Sequence, residues 1–263
     1  MKKAVYVAFV IALLCSLFLT LYAGPVNAFS SAIQTVYAAG ADSTIDGKWT
    51  TNTEWDDGMT STITSAAGAK TGIFIDKYLL DFSAGLSVKD EYIIEAFTDK
   101  TNDTGDYTVL AYCTGSNGGT APQSDDLKFE IDGHNGTIKT YVGTGTGWAP
   151  YNPDQLQWAQ LLSVSKLNGT NPHWTTEIKV EKTTNLMQQN NYIMVGFYDA
   201  SNAAAGVQTW PPNASVDVPN TYGFNDATAL GTIPEGIGLA PIVVLGSIAV
   251  LIGCLYLRKQ QKA

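Results

Sequence analysis

Arginine is all but missing from this chain: among 263 residues there is one, Arg258. Without it there is no planar fork of donors for gripping phosphate. Cysteine is nearly as scarce, with Cys15, Cys113 and Cys254 far apart in sequence. Cys15 and Cys254 fall in long apolar runs, so Cys113 stands alone between them and no intradomain disulfide can form; its place is that of a small buried residue on a strand rather than a reactive thiol or an intermolecular bridge. Histidine is limited to His134 and His173, with no Ser or Cys nucleophile motif beside either. Helical periodicity is also lacking over most of the chain. Residues 29–236 carry 10 basic and 24 acidic side chains, a net charge of −14, which excludes nucleic acid as a partner.

Two apolar segments bracket this acidic stretch. Ala4 to Tyr22 follows Met1-Lys2-Lys3 and leads to the small-x-small exit Val26-Asn27-Ala28, the pattern of a secretory signal peptide over 1–28. Leu14 stands where a lipobox needs a small residue, so Cys15 is no lipid anchor. Ile237 to Leu257 is uncharged and long enough for one transmembrane helix, since a bilayer core needs about 20 apolar residues. Arg258, Lys259 and Lys262 follow it, and the positive-inside rule then makes 258–263 a cytoplasmic tail and places the acidic part outside the cell. The expected localisation is the cell membrane, with a single pass. Ile233-Pro234-Glu235-Gly236, in the short linker 229–236, resembles the Pro-Glu-Phe class of archaeal surface-sorting signals, with Gly236 in place of Phe. A plain stop-transfer anchor is the simpler account.

The external stretch, about 208 residues if cleavage follows Ala28, reads as strands. Trp174, Thr176, Ile178 and Val180 alternate with Glu177, Lys179 and Glu181, and Leu127, Phe129 and Ile131 alternate with Lys128, Glu130 and Asp132. Period two marks a strand with one wet face. Gly72 to Phe82, Glu91 to Thr98, Tyr107 to Cys113, Ile138 to Val142, Trp158 to Leu167 and Tyr192 to Tyr198 are further strands, separated by turns such as Asn102-Asp-Thr-Gly105 and Asn168-Gly169. The expected fold is all-β, an antiparallel, jelly-roll-like β-sandwich over 40–228.

Ser43-Thr-Ile-Asp-Gly47 followed by Glu54-Trp55-Asp56-Asp57 resembles the opening of family 9 carbohydrate-binding modules and DOMON-type sandwiches. Thr209-Trp-Pro-Pro and Val218-Pro-Asn-Thr-Tyr-Gly223 are similar to the close of related archaeal surface domains and of the ethylbenzene dehydrogenase-type haem-binding domain, and Asp126 to Asp132 resembles a strand carrying spaced acids. The resemblance implies the sandwich and, as a function, non-catalytic binding of carbohydrate or another small ligand at an archaeal cell surface. Through its closing motif it implies haem as an alternative cofactor, for electron transfer, with Met59, Met187 or Met194 as axial candidates. Structural membership of a surface layer is the remaining alternative.

Two polar or aromatic constellations could bind something. Asp99-Lys-Thr-Asn-Asp-Thr-Gly-Asp106 can turn Asp99, Asn102, Asp103 and Asp106 inward as oxygen ligands for calcium, or it is a solvated hairpin tip. Tyr141, Trp148, Tyr151 and Trp158 flank a Gly- and Pro-rich stretch. Their rings offer flat faces for sugar C–H groups, with Trp148 and Tyr151 on a loop as the preferred platform, or they are packing residues. Trp158 and Trp174, at strand starts, read as core, and Trp55 and Trp210 as motif tryptophans that plug the ends of the sandwich. Asn102, Asn135, Asn168 and Asn213 each open an N-glycosylation sequon in a turn. Asp56, Asp57, Glu130, Asp132 and Glu177 could pair as glycosidase carboxylates, but Glu130 and Glu177 fall on the wet face, and the expectation is no enzyme.

Overall fold

The computed structural model describes residues 29–35, 41–81, 87–113, 118–134, 136–153, 156–182 and 191–226. The stretches expected as signal peptide, linker, membrane helix and tail, together with Asn135 and Met187, lie outside the described residues, among which no helix is long and apolar enough to cross a membrane.

The alternating segments form strands, and together they build one curled sheet. Its first half runs β1 (Ile33–Thr35), β2 (Met59–Thr64), β3 (Lys70–Asp81), β4 (Ser87–Ala96), β5 (Tyr107–Cys113), β6 (Asp126–Asp132) and β7 (Ile138–Gly143). Then come β8 (Trp148–Pro150), β9 (Leu156–Ser163), β10 (His173–Lys182), β11 (Asn191–Tyr198), β12 (Gln208–Trp210) and β13 (Gly223–Asp226), with 3-10 turns at Ala200–Ala205 and Pro219–Thr221. The hydrogen-bonded order is β8-β7-β6-β5-β11-β12-β2-β3-β4-β10-β9, and β13 joins β11 to β1. Every pairing is antiparallel except β1 with β13, the one departure from the expected antiparallel pattern. β1 also carries the fold upstream of residue 40.

The sheet curls so that its two halves face one another. Phe74, Tyr92, Ile94, Ile178 and Val180 from one half meet Leu110, Tyr112, Phe129, Ile193 and Val195 from the other in a single core. Tyr92 and Tyr112 touch across it edge to face, with centroids 5.8 Å apart. Each such side chain contributes about 1.5–3 kcal/mol of transfer energy when fully buried. Trp210 belongs to this core, in the strand that links the halves.

Chain segments cover much of the outer faces. Residues 41–58 lie over β3, β4 and β10, where Trp55 packs with Ile73, Ile75 and Ile93. This explains why β3 is apolar along most of its length rather than alternating: it is buried on both faces. It also corrects the reading of Glu177 as a solvated charge. Glu177 is fully buried and accepts from the backbone N–H groups of Asp46 and Gly47, both at 2.8 Å, and from Trp55 Nε1 at 3.2 Å. Burial raises its carboxyl to about 8, against those two backbone donors. Lys77 is buried in the same layer, its ammonium donating to Ala41 O, Ser43 Oγ and Glu54 O and pairing with Asp57 at 3.1 Å. On the other half, Ala214, Val216 and Tyr222 cover Val109, Ala111, Cys113 and Met194. Cys113 is buried on β5, and Met194 is packed in that same apolar cluster.

Candidate functional site

The aromatic residues divide between two faces because strand parity divides them. Lys128 pairs with Tyr141, and Gly143 with Trp148, so Lys128, Tyr141 and Trp148 share the outer face of β6, β7 and β8. There the Lys128 ammonium lies 4.2 Å from the Tyr141 ring centroid and 5.6 Å from that of Trp148. It also pairs with Glu130 at 3.0 Å, so that carboxylate faces outward as expected. Trp148 Nε1 donates to Asp217 at 2.9 Å, which fixes the indole against the covering segment. Trp148 thus sits on a short edge strand, not a loop, and both rings are half-buried. Tyr151 and Trp158 lie elsewhere, packed against the central core.

Further along the same outer face, Tyr107 and Tyr198 stack with centroids 5.5 Å apart. Burial raises the Tyr107 phenol, and the nearby Glu130, Tyr198 and Asp217 push it the same way. Lys128, Asp217, Tyr107 and Tyr198 had no distinguishing signal in the sequence; only the register of β5, β6 and β11 brings them near Tyr141 and Trp148. Half-exposed rings beside an ammonium, two carboxylates and phenol hydroxyls can stack on a flat C–H face while hydrogen-bonding its polar rim.

The acidic turn forms a second constellation. Tyr107 pairs with both Asp132 and Tyr198, so the residues just beyond these three strand ends converge: Asp106, His134 and Asp199. Gly133 N–H donates to Asp106 O at 2.6 Å. His134 Nε2 lies 2.9 Å from Asp99 Oδ2 and 3.2 Å from Asp106 Oδ2, and its ring stacks on Trp174 at 3.9 Å. Asp99, Asp106 and His134 each offer a ligand atom within 4.8 Å of the others, as do Asp103, Asp106 and Asp199. Burial raises the Asp99 carboxyl, partly offset by His134. The structure therefore gathers Asp99, Asp103 and Asp106, adds His134 and Asp199, and leaves Asn102 exposed at the rim of an adjoining cleft of about 600 Å³. Asn213 is exposed in a left-handed turn (φ 62°), Asn168 is half-buried with its amide 3.1 Å from His173 Nδ1, and Met59 is half-buried on β2.

No protein-family model matches the chain, and no curated protein sequence matches it. Among solved structures, the chain is similar to a family 9 carbohydrate-binding module from Caldicellulosiruptor kristjanssonii in complex with glucose, at 10% identity and a TM-score of 0.49, over 76% of this chain and 100% of that one.

Proposed function

We propose that this chain is a non-catalytic binding protein, held at the cell surface by residues 237–257, whose folded unit takes carbohydrate on the outer face of β6 to β8. The observation that carries the reading is the pair Tyr141 and Trp148, half-exposed on one face beside the Lys128 ammonium, with the Trp148 indole held by Asp217. Stacking on such rings is worth about 0.5–1.5 kcal/mol each beyond area burial, so two rings with flanking hydrogen bonds suit weak, reversible capture of a sugar. The test is glycan-array binding by the full chain, followed by titration of the best oligosaccharide. Tyr141→Ala and Trp148→Ala should each weaken binding about tenfold, the equivalent of about 1.4 kcal/mol, with the melting temperature nearly unchanged. Affinity untouched by both substitutions would overturn the assignment of this face.

A structural role in a surface layer has one observation of its own in support. β9 ends the hydrogen-bonded path and carries exposed Leu161 and Leu162, with exposed Val164 and Leu167 just beyond. Ordered self-assembly of the full chain together with no glycan bound on the array would replace the first reading by this one.

A further inference from the structure

We propose that β9 is a dimerisation edge: two copies of the chain join by antiparallel pairing of β9 with β9, so that one sheet runs from β10 of the first copy to β10 of the second. Among the described residues, β9 pairs with β10 alone. In an antiparallel ladder every second residue turns both its N–H and its C=O to the same neighbour, so half of the eight residues of β9 direct donor and acceptor away from β10. No described backbone group outside the ladder answers them. Such an open row is complemented by another extended strand.

Protected edges are short, or carry lysine, proline or a bulge. β1 and β8, the other described strands with a single partner, follow that rule: each has three residues, and β8 ends in Pro150. β9 does not. It has neither charge nor proline, its ladder with β10 keeps one register throughout, and the uncharged run extends from Leu156 to Ser165. Apolar surface coincides with it. Leu161 and Leu162 are 44% and 41% exposed, and as neighbours on a strand they stand on opposite faces, so the edge is bare on both. A cleft of about 460 Å³ is lined by Lys48, Trp49 and Thr50 and by Leu162, Ser163 and Val164, so the layer of residues 41–58 does not close over this end of the edge.

Charge and length select a second copy as the occupant. Residues 29–236 carry −14, and two such bodies repel wherever acidic surfaces meet. Along β9 they approach through a strip that is uncharged on both copies. A basic partner, which an acidic body attracts elsewhere, finds no carboxylate on this strand. Paired antiparallel with itself, β9 meets a strand of equal length across a two-fold axis. With the axis at Leu161, Leu162 lies opposite Gln160 of the other copy and Ser163 opposite Ala159, so no like charges are opposed. The pairing closes at two, because β8 offers only three residues and a proline to the eight of β9. It therefore differs from a surface layer, which must propagate, and it does not depend on the carbohydrate reading.

The experiment is multi-angle light scattering of the full chain from about 1 to about 100 μM, with hydrogen–deuterium exchange at both ends of that range. A monomer–dimer equilibrium with a Kd on the order of 10 μM is expected, since one strand pair falls at the low end of interface sizes. The outward amides of β9 should exchange about fourfold more slowly at the higher concentration, following the monomer fraction, while those of β8 stay unchanged. Leu161→Lys and Leu162→Lys, at exposed positions, set like charges beside the axis and should each raise the Kd at least about tenfold with the melting temperature unchanged. Val207→Lys, at a similarly exposed apolar site off the strand, should leave the dimer as it was. A chain that stays monomeric up to about 100 μM would overturn the proposal and leave the edge to a strand from another protein. Growth beyond two copies would also overturn it, as would a dimer that survives both leucine variants or one lost equally in the Val207 variant.

Discussion

Glu177→Gln probes how residues 41–58 are fastened to the sheet. The carboxylate is fully buried, with Oε2 accepting from Asp46 and Gly47 N–H and Oε1 from Trp55 Nε1. Burial raises its carboxyl from 4.5 to about 8 in the folded protein, while the unfolded chain titrates near the ordinary value. Between about 4.5 and about 8 the folded state therefore keeps a proton that the unfolded state has released, and stability falls as pH rises through that window. The slope is at most about 1.4 kcal/mol per pH unit, which sums to on the order of 4 kcal/mol over the window. Glutamine does not titrate. Its oxygen can serve the two backbone donors, but its NH₂ then opposes the Trp55 N–H, a cost of about 1–2 kcal/mol that is independent of pH. Urea unfolding followed by tryptophan fluorescence at pH 5, 6, 7 and 8 should show the wild-type protein losing ground to the variant at each step upward. Parallel pH profiles for the two proteins would refute the argument, because they would mean that Glu177 titrates alike in both states.

Gly47→Ala acts on the same fastening: Gly47 has φ +82°, and a Cβ there would lie 2.8 Å from the Gln160 carbonyl carbon and 2.9 Å from Leu161 N. Left-handed strain and the backbone clash together should cost about 2–3 kcal/mol, read as a lower urea midpoint. Phe129→Ala, at a 1% exposed position packed edge to face on Tyr112, should cost about 3–5 kcal/mol by the same assay, and a loss below about 1 kcal/mol would contradict its place in the core.

Period-two alternation revealed most of the strands, because β6 and β10 each keep their apolar residues on one face. It could not reveal what covers the other face. Glu177 reads as solvated charge on its own strand, yet its partners lie about 130 residues earlier, in the Ile-Asp-Gly and Glu-Trp stretch. That stretch was recognisable as a motif, while its physical role, supplying N–H donors to one buried carboxylate, needed the fold. β1, with three residues, is too short to show a period. The aromatic quartet was visible as a cluster in sequence but not as two faces: Trp148 and Tyr151 stand three positions apart, and only the pairing of Trp148 with Gly143 shows that they point to opposite sides. Similarly, Asp99, Asp103 and Asp106 announced themselves within one turn, whereas His134 and Asp199 were isolated residues after unremarkable strands. Register alone brings them in, through the pairing of Tyr107 with Asp132 and Tyr198.

The parallel pairing of β1 with β13 has a mechanical meaning. Ile33, Gln34 and Thr35 lie beside Phe224, Asn225 and Asp226 and run in the same direction, so the chain enters this pair at one end and leaves it at the other. Tension drawn between the two termini loads these rungs in shear, all together, instead of peeling them apart one after another. The short seam at the sheet's margin thereby works as a clasp between the two ends of the folded unit.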